Sequence, residues 1–106
     1  MPKYMFQSRF IGEGVKGLLR EGGSSRLAAS QKAAESMGGK VEAFYFAFGD
    51  VDSYTIAELP DNVAAAALSV FINSTGNLST KVTVLMTPEE MDAATRRTPS
   101  YRAPGQ

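Results

Sequence analysis

The apolar and polar positions of this chain switch period several times, and each switch marks an element. Residues Lys3–Phe10 alternate and carry Tyr4, Phe6 and Phe10, the period-2 signature of a half-buried strand. Ile11-Gly12-Glu13-Gly14 breaks it. Val15–Arg20 then starts a helix that Gly22-Gly23 interrupts, and Ser24 or Ser25 is placed to cap the next one. That next helix is Ala-rich, runs over Arg26–Met37 and stops at Gly38-Gly39. Two strand-like runs follow, Val41–Phe48 and Val51–Leu59, joined through Gly49-Asp50. Asp61 stands where an N-cap belongs, ahead of an apolar helix over Val63–Ile72 that ends near Asn73–Gly76. Leu78–Met86 alternates again. Thr87-Pro88-Glu89-Glu90-Met91 reads as a cap, Pro at the first helical position and an acidic first turn of a short last helix.

The order is β-α-β-β-α-β, the split βαβ arrangement, which predicts an α+β, ferredoxin-like fold with a four-stranded antiparallel sheet and helices on one face. The other face must then meet water or a second protein surface. If Gly49-Asp50 is a two-residue loop, Phe48 pairs with Val51, Phe46 with Ser53, Phe44 with Thr55 and Glu42 with Ala57. A four-residue loop leaves both sets of side chains on the same faces, because the period is 2. Phe44, Phe46 and Phe48, with Val51 and Leu59, are expected beneath the helices. Val41, Ala43, Tyr45 and Ala47 share the open face with Asp52, Tyr54, Ile56 and Glu58. So apolar a free face predicts self-association through the sheet.

Composition narrows the chemistry. The chain has 106 residues, enough for one domain with a modest core. Its 11 basic and 11 acidic residues balance, which argues against a nucleic-acid partner. There is no Cys and no His, so thiolate chemistry, disulfides, histidine-ligated metals and His-containing triads are all excluded within it. No cofactor or metal is called for. No stretch approaches the roughly 20 apolar residues of a membrane span, and none resembles a signal peptide. A cytoplasmic protein is expected.

Several short motifs occur in a fixed order: Gly14, Arg26, Gly38-Gly39, Tyr45, Gly49-Asp50-Val51-Asp52, Glu58-Leu59-Pro60-Asp61, Gly76-Asn77-Leu78-Ser79-Thr80 and Thr87-Pro88-Glu89-Glu90. Together they resemble the GYD domain family, small proteins of ferredoxin-like, dimeric α/β-barrel type. The resemblance spans Tyr4 to Met91, which divides the chain into a domain at 1–91 and a C-terminal tail at 92–106. One position departs from the pattern: Val51 stands where the family has the Tyr of its name. The family implies a fold and no established activity.

The candidate ligand-binding residues are Tyr45, Asp52, Tyr54, Glu58 and Arg26; no catalytic residue is assigned. Asp52 is either a pocket carboxylate beside a phenol or, as the simpler role, an acceptor for backbone N–H groups around the turn. Glu58 could serve as a base, but an ion pair with Lys81, Arg9 or a partner chain is the commoner use of such a residue. Arg26 offers an anion partner at the sheet's edge, or a stem lying over apolar surface, which is favoured. Lys81 reads as a solvated or ion-paired strand residue. Gly12-Glu13-Gly14 lacks the full phosphate-loop fingerprint. Two functional readings follow. One is an oligomeric α/β-barrel domain that self-associates through its sheet, with room for a small ligand between sheet and helices. The alternative is a cofactor-independent oxygenase or isomerase in which Asp52 or Glu58 acts with Tyr45 and Tyr54 on an activated aromatic.

Overall fold

A computed structural model describes all residues, Met1–Gln106. The elements run β1 (Lys3–Phe10), α1 (Glu13–Glu21), α2 (Gly23–Ser36), β2 (Lys40–Phe46), β3 (Ser53–Glu58), α3 (Asn62–Ser74), β4 (Leu78–Leu85) and α4 (Pro88–Thr95). The four strands form one antiparallel sheet in the order β2-β3-β1-β4. This is the ferredoxin-like arrangement expected from the element order. No helix is long and apolar enough to cross a membrane.

Local chemistry explains the boundaries. Asp61 Oδ1 accepts the Ala64 N–H at 2.9 Å and so caps α3, an interaction that typically contributes on the order of 1 kcal/mol. Thr87 and Glu90 form a reciprocal capping box at the start of α4, with Pro88 at the first helical position. Gly38 ends α2 at φ 83°, and Gly39 passes so close to β3 that a Cβ would lie 2.9 Å from Leu59 Cδ2. The α1–α2 junction differs from expectation. Gly22 is the N-terminal cap of α2 and supplies no side chain, while Ser24 and Ser25 lie within the first turn and cap nothing.

The sheet register sorts the side chains. On the helix-covered face the rows across β2, β3, β1 and β4 are Val41–Ala57–Tyr4–Val84, Phe44–Thr55–Phe6–Val82 and Phe46–Ser53–Ser8–Thr80. Tyr4, Phe6 and Ala57 from the sheet, and Leu59 just past β3, meet Ala34 of α2 and Ala64 and Ala65 of α3 in the core. The Tyr4 hydroxyl is buried and donates to Asn62 Oδ1 at 2.7 Å, tying β1 to the start of α3. Strand β4 is an edge. Its backbone at Thr80 is held by the Asn73 side chain, whose Oδ1 accepts the Thr80 N–H (2.8 Å) while its Nδ2 donates to the Thr80 carbonyl (3.2 Å).

Three expectations for the hairpin change. The loop spans Ala47–Asp52, closed by the Ala47 N–H donating to the Asp52 carbonyl at 2.8 Å, yet the pairs Phe46–Ser53 and Phe44–Thr55 are those a two-residue loop would give. Between Val41 and Ala43 the register shifts by one, a β-bulge at Glu42. The extra residue turns Val41 from the open face to the helix side, opposite Ala57. Phe48 lies in the loop and is fully exposed, and Phe46 is half-exposed, so only Phe44 of the three is even partly buried in the helix-covered layer.

Candidate functional site

Between the sheet and helices α2 and α3 lies a cavity of about 120 Å³. It exists because both of its walls are built from small residues. Ser8, Ser53, Thr55 and Ala57 form the floor, and α2 presents Ala29, Ser30, Ala33 and Ala34. Close packing would require larger side chains on at least one wall. Phe6, Phe10, Phe44, Leu68 and Ile72 make the rest of the lining predominantly apolar.

The polar groups of the cavity are few and distinctive. Ser8 Oγ donates to Thr80 Oγ1 at 2.9 Å, so that pair is satisfied within the protein. Ser53 and Thr55 are only 3% and 9% exposed. No side-chain polar atom is sealed away without a partner, and these two hydroxyls, bonded to no protein group, stay open to the cavity. Arg26, in the first turns of α2, also lines the space. Its guanidinium carbon stands 6.0 Å from the centre of the Phe10 ring, within range of a cation–π contact. The three ion pairs of the molecule are Lys3–Glu42, Lys16–Glu13 and Lys40–Glu58, so Arg26 has no carboxylate partner. No Asp, Glu or Tyr lines the cavity.

The five candidate residues are therefore not brought together. Arg26 is on the helix side, with its charged end over Phe10. Tyr45 and Tyr54 are opposite each other on the open face, 71% and 38% exposed. Glu58 is on that face too, but its carboxylate pairs with Lys40 at 3.5 Å rather than with Lys81 or Arg9. Lys3, the next residue in the same row, bonds Glu42, so two lysines and two glutamates form a small ionic cluster at one end of the face. The Glu42 hydrogen bond is the main cause holding the Lys3 ammonium above its usual 10.5; desolvation opposes it, and the charges of Glu42 and Glu58 reinforce it. Lys81 is exposed and unpaired.

Asp52 works on backbone, as its simpler reading held, although on a different segment. Its Oδ2 accepts the Phe10 N–H at 2.9 Å, and its own N–H donates to the Ser8 carbonyl at 2.9 Å. It thereby fastens the hairpin loop to the end of β1, where the ladder with β3 runs out at Ser8–Ser53. No group of three or more His, Cys, Asp or Glu side chains is gathered anywhere in the molecule.

Reading along the sequence picked out the open face and left room for a ligand between sheet and helices, but of the residues that line the cavity it named only Arg26 as a candidate. A signal was present: hydroxyl-bearing Ser8, Ser53, Thr55 and Thr80 occupy helix-facing strand positions where large apolar side chains usually sit.

No curated protein and no solved structure matches this chain. The family model of the GYD domain matches residues 4–95, nearly the whole of the folded part, and the chain belongs to the GYD domain family.

Proposed function

We propose that this chain is a self-associating binding domain of the dimeric α/β-barrel type. In this reading the open sheet faces of two copies meet, and the cavity on the opposite side of each sheet holds a small ligand. One observation carries it: the helices cover a single face of the sheet, and the uncovered face is apolar at its centre. The row Ala43–Ile56–Met5 crosses the middle of that face and ends at Thr83 on β4, bordered by Tyr45–Tyr54–Gln7–Lys81 on one side and the Lys40–Glu58–Lys3 cluster on the other.

The shape of the single chain agrees. Its radius of gyration is 16.8 Å, against roughly 13 Å for a compact domain of this length, and only 10 of 106 residues are buried. Every residue of α4 is exposed. Tyr45 and Tyr54 together leave about one whole tyrosine side chain uncovered, roughly 150–250 Å². Burying it would contribute about 4–6 kcal/mol of gross hydrophobic stabilisation per copy, before the costs of association.

Sedimentation velocity at micromolar protomer tests the reading. A dimer is expected for the natural chain, and a monomer with unchanged far-UV circular dichroism for Ile56→Lys, which places a charge at the centre of the face. A natural chain that sediments as a monomer, or an Ile56→Lys variant that still dimerises, refutes it.

A further inference from the structure

We propose that the ligand of the cavity is a small organic monocarboxylate, one ring or a short alkyl chain in size, with its carboxylate held at Arg26. The inference rests on the reading of the cavity as a binding site and adds the chemical class of what binds there.

Size comes first. A cavity of about 120 Å³ is close to the roughly 150 Å³ apolar cavity known to take up benzene, so a single ring or a short chain fills it. The lining sets the polarity. Phe6, Phe44, Leu68 and Ile72 favour an apolar body, and they exclude a sugar or nucleotide, whose many hydroxyl groups would go unpaired.

Charge decides the headgroup. Arg26 is the only ionisable side chain among the lining residues, and it lacks an internal counter-ion. One oxygen of the Asp52 carboxylate accepts the Phe10 N–H, and the carboxylate is not within ion-pair distance of the guanidinium. A guanidinium recognises a carboxylate through paired, charge-assisted hydrogen bonds.

The hydroxyls supply the remaining contacts. Ser53 and Thr55 are more than nine-tenths buried, face the cavity and have no protein partner. Each can donate to a ligand oxygen. Both hydroxyls open onto the cavity and make no bond within the protein, so a ligand oxygen that accepts from them competes only with water.

Titration of the full chain followed by amide NMR distinguishes the outcomes, with benzoate, hexanoate and benzyl alcohol as probes. Benzoate and hexanoate are expected to bind saturably, shifting amides of α2 and of Phe44 and Ser53–Ala57. Benzyl alcohol should bind at least roughly tenfold more weakly, because it cannot pair with the guanidinium. Arg26→Gln should weaken benzoate by roughly 10- to 100-fold and leave benzyl alcohol unchanged, while Thr55→Val should weaken benzoate less. If benzyl alcohol binds as tightly as benzoate, or Arg26→Gln leaves benzoate unaffected, the carboxylate class is wrong while the binding reading stands. If none of the three probes binds, both are overturned.

Discussion

Replacing Gly14 by Ala is expected to loosen the joint between the first helix and the turn that leads from α3 into β4, although the change adds a single methyl group. Gly14 lies in the first turn of α1, directly over the backbone of Asn77. A Cβ there would overlap the Asn77 carbonyl oxygen and lie 2.8 Å from its carbonyl carbon and 3.3 Å from its Cα. Those are main-chain atoms, so no side-chain rotation relieves the clash. The Gly76-Asn77 segment must move away, and in doing so it gives up the bond in which the Ile11 N–H donates to the Asn77 carbonyl at 3.1 Å. Forced overpacking costs typically 1–3 kcal/mol and the lost hydrogen bond about 1 kcal/mol more. The better helix propensity of Ala returns roughly 0.5–1 kcal/mol. The net loss is therefore about 1–3 kcal/mol, each kcal/mol lowering Tm by roughly 4–8 °C in a domain of this size. Gly17→Ala is the internal control. It lies in the same helix, and the nearest atom to its added methyl is a terminal guanidinium nitrogen of Arg20 at 4.0 Å. It should be stabilising by about 0.5–1 kcal/mol. Both variants should be compared with the natural chain by urea unfolding at one protomer concentration, since self-association would shift the midpoint. A Gly14→Ala protein as stable as the natural one would show that the close approach of α1 to Asn77 does not constrain the fold.

Two further outcomes follow from the hydrogen bonds. Asp52→Ala removes the acceptor of the Phe10 N–H and should lower stability by about 1–2 kcal/mol in urea unfolding, with Asp52→Asn restoring part of it; equal stability of all three proteins would show that this contact contributes nothing. The Lys3–Glu42 pair makes a pH-dependent contribution: the folded Lys3 value is raised above 10.5, so its stabilisation is fully present below 10.5 and is lost as pH climbs through the higher folded value. The stability gap between the natural chain and Glu42→Gln should therefore be constant near neutrality and narrow in strong alkali, whereas a gap that stays constant throughout would remove Lys3 as its source.

Much of this architecture was legible because its causes are local. Asp61 and Thr87 cap helices through groups three residues away, and the alternation of Tyr4, Phe6 and Phe10 depends only on the pleat. The pairing of Phe44 and Phe46 with Thr55 and Ser53 followed from hairpin closure alone. The candidate site was far less legible. Tyr45 and Tyr54 were placed together correctly, but Glu58 found Lys40 because the bulge at Glu42 resets the register beyond it, and no local pattern announces a single extra residue. Phe48 resembled its neighbours Phe44 and Phe46 in type and spacing, yet it falls past the last ladder pair, where nothing holds it against the helices.

The chain's own pattern thus determines the order and type of the elements, the antiparallel hairpin and the bare sheet face, since each arises from contacts between residues near in sequence or from strand periodicity. Tertiary structure alone decided the cavity and its charge. The small residues of α2, Ser53 and Thr55 on β3, and Arg26 over Phe10 come from segments far apart along the chain. A void with a lone cation beside it is a property of the space between such segments, and it appears only once they are packed.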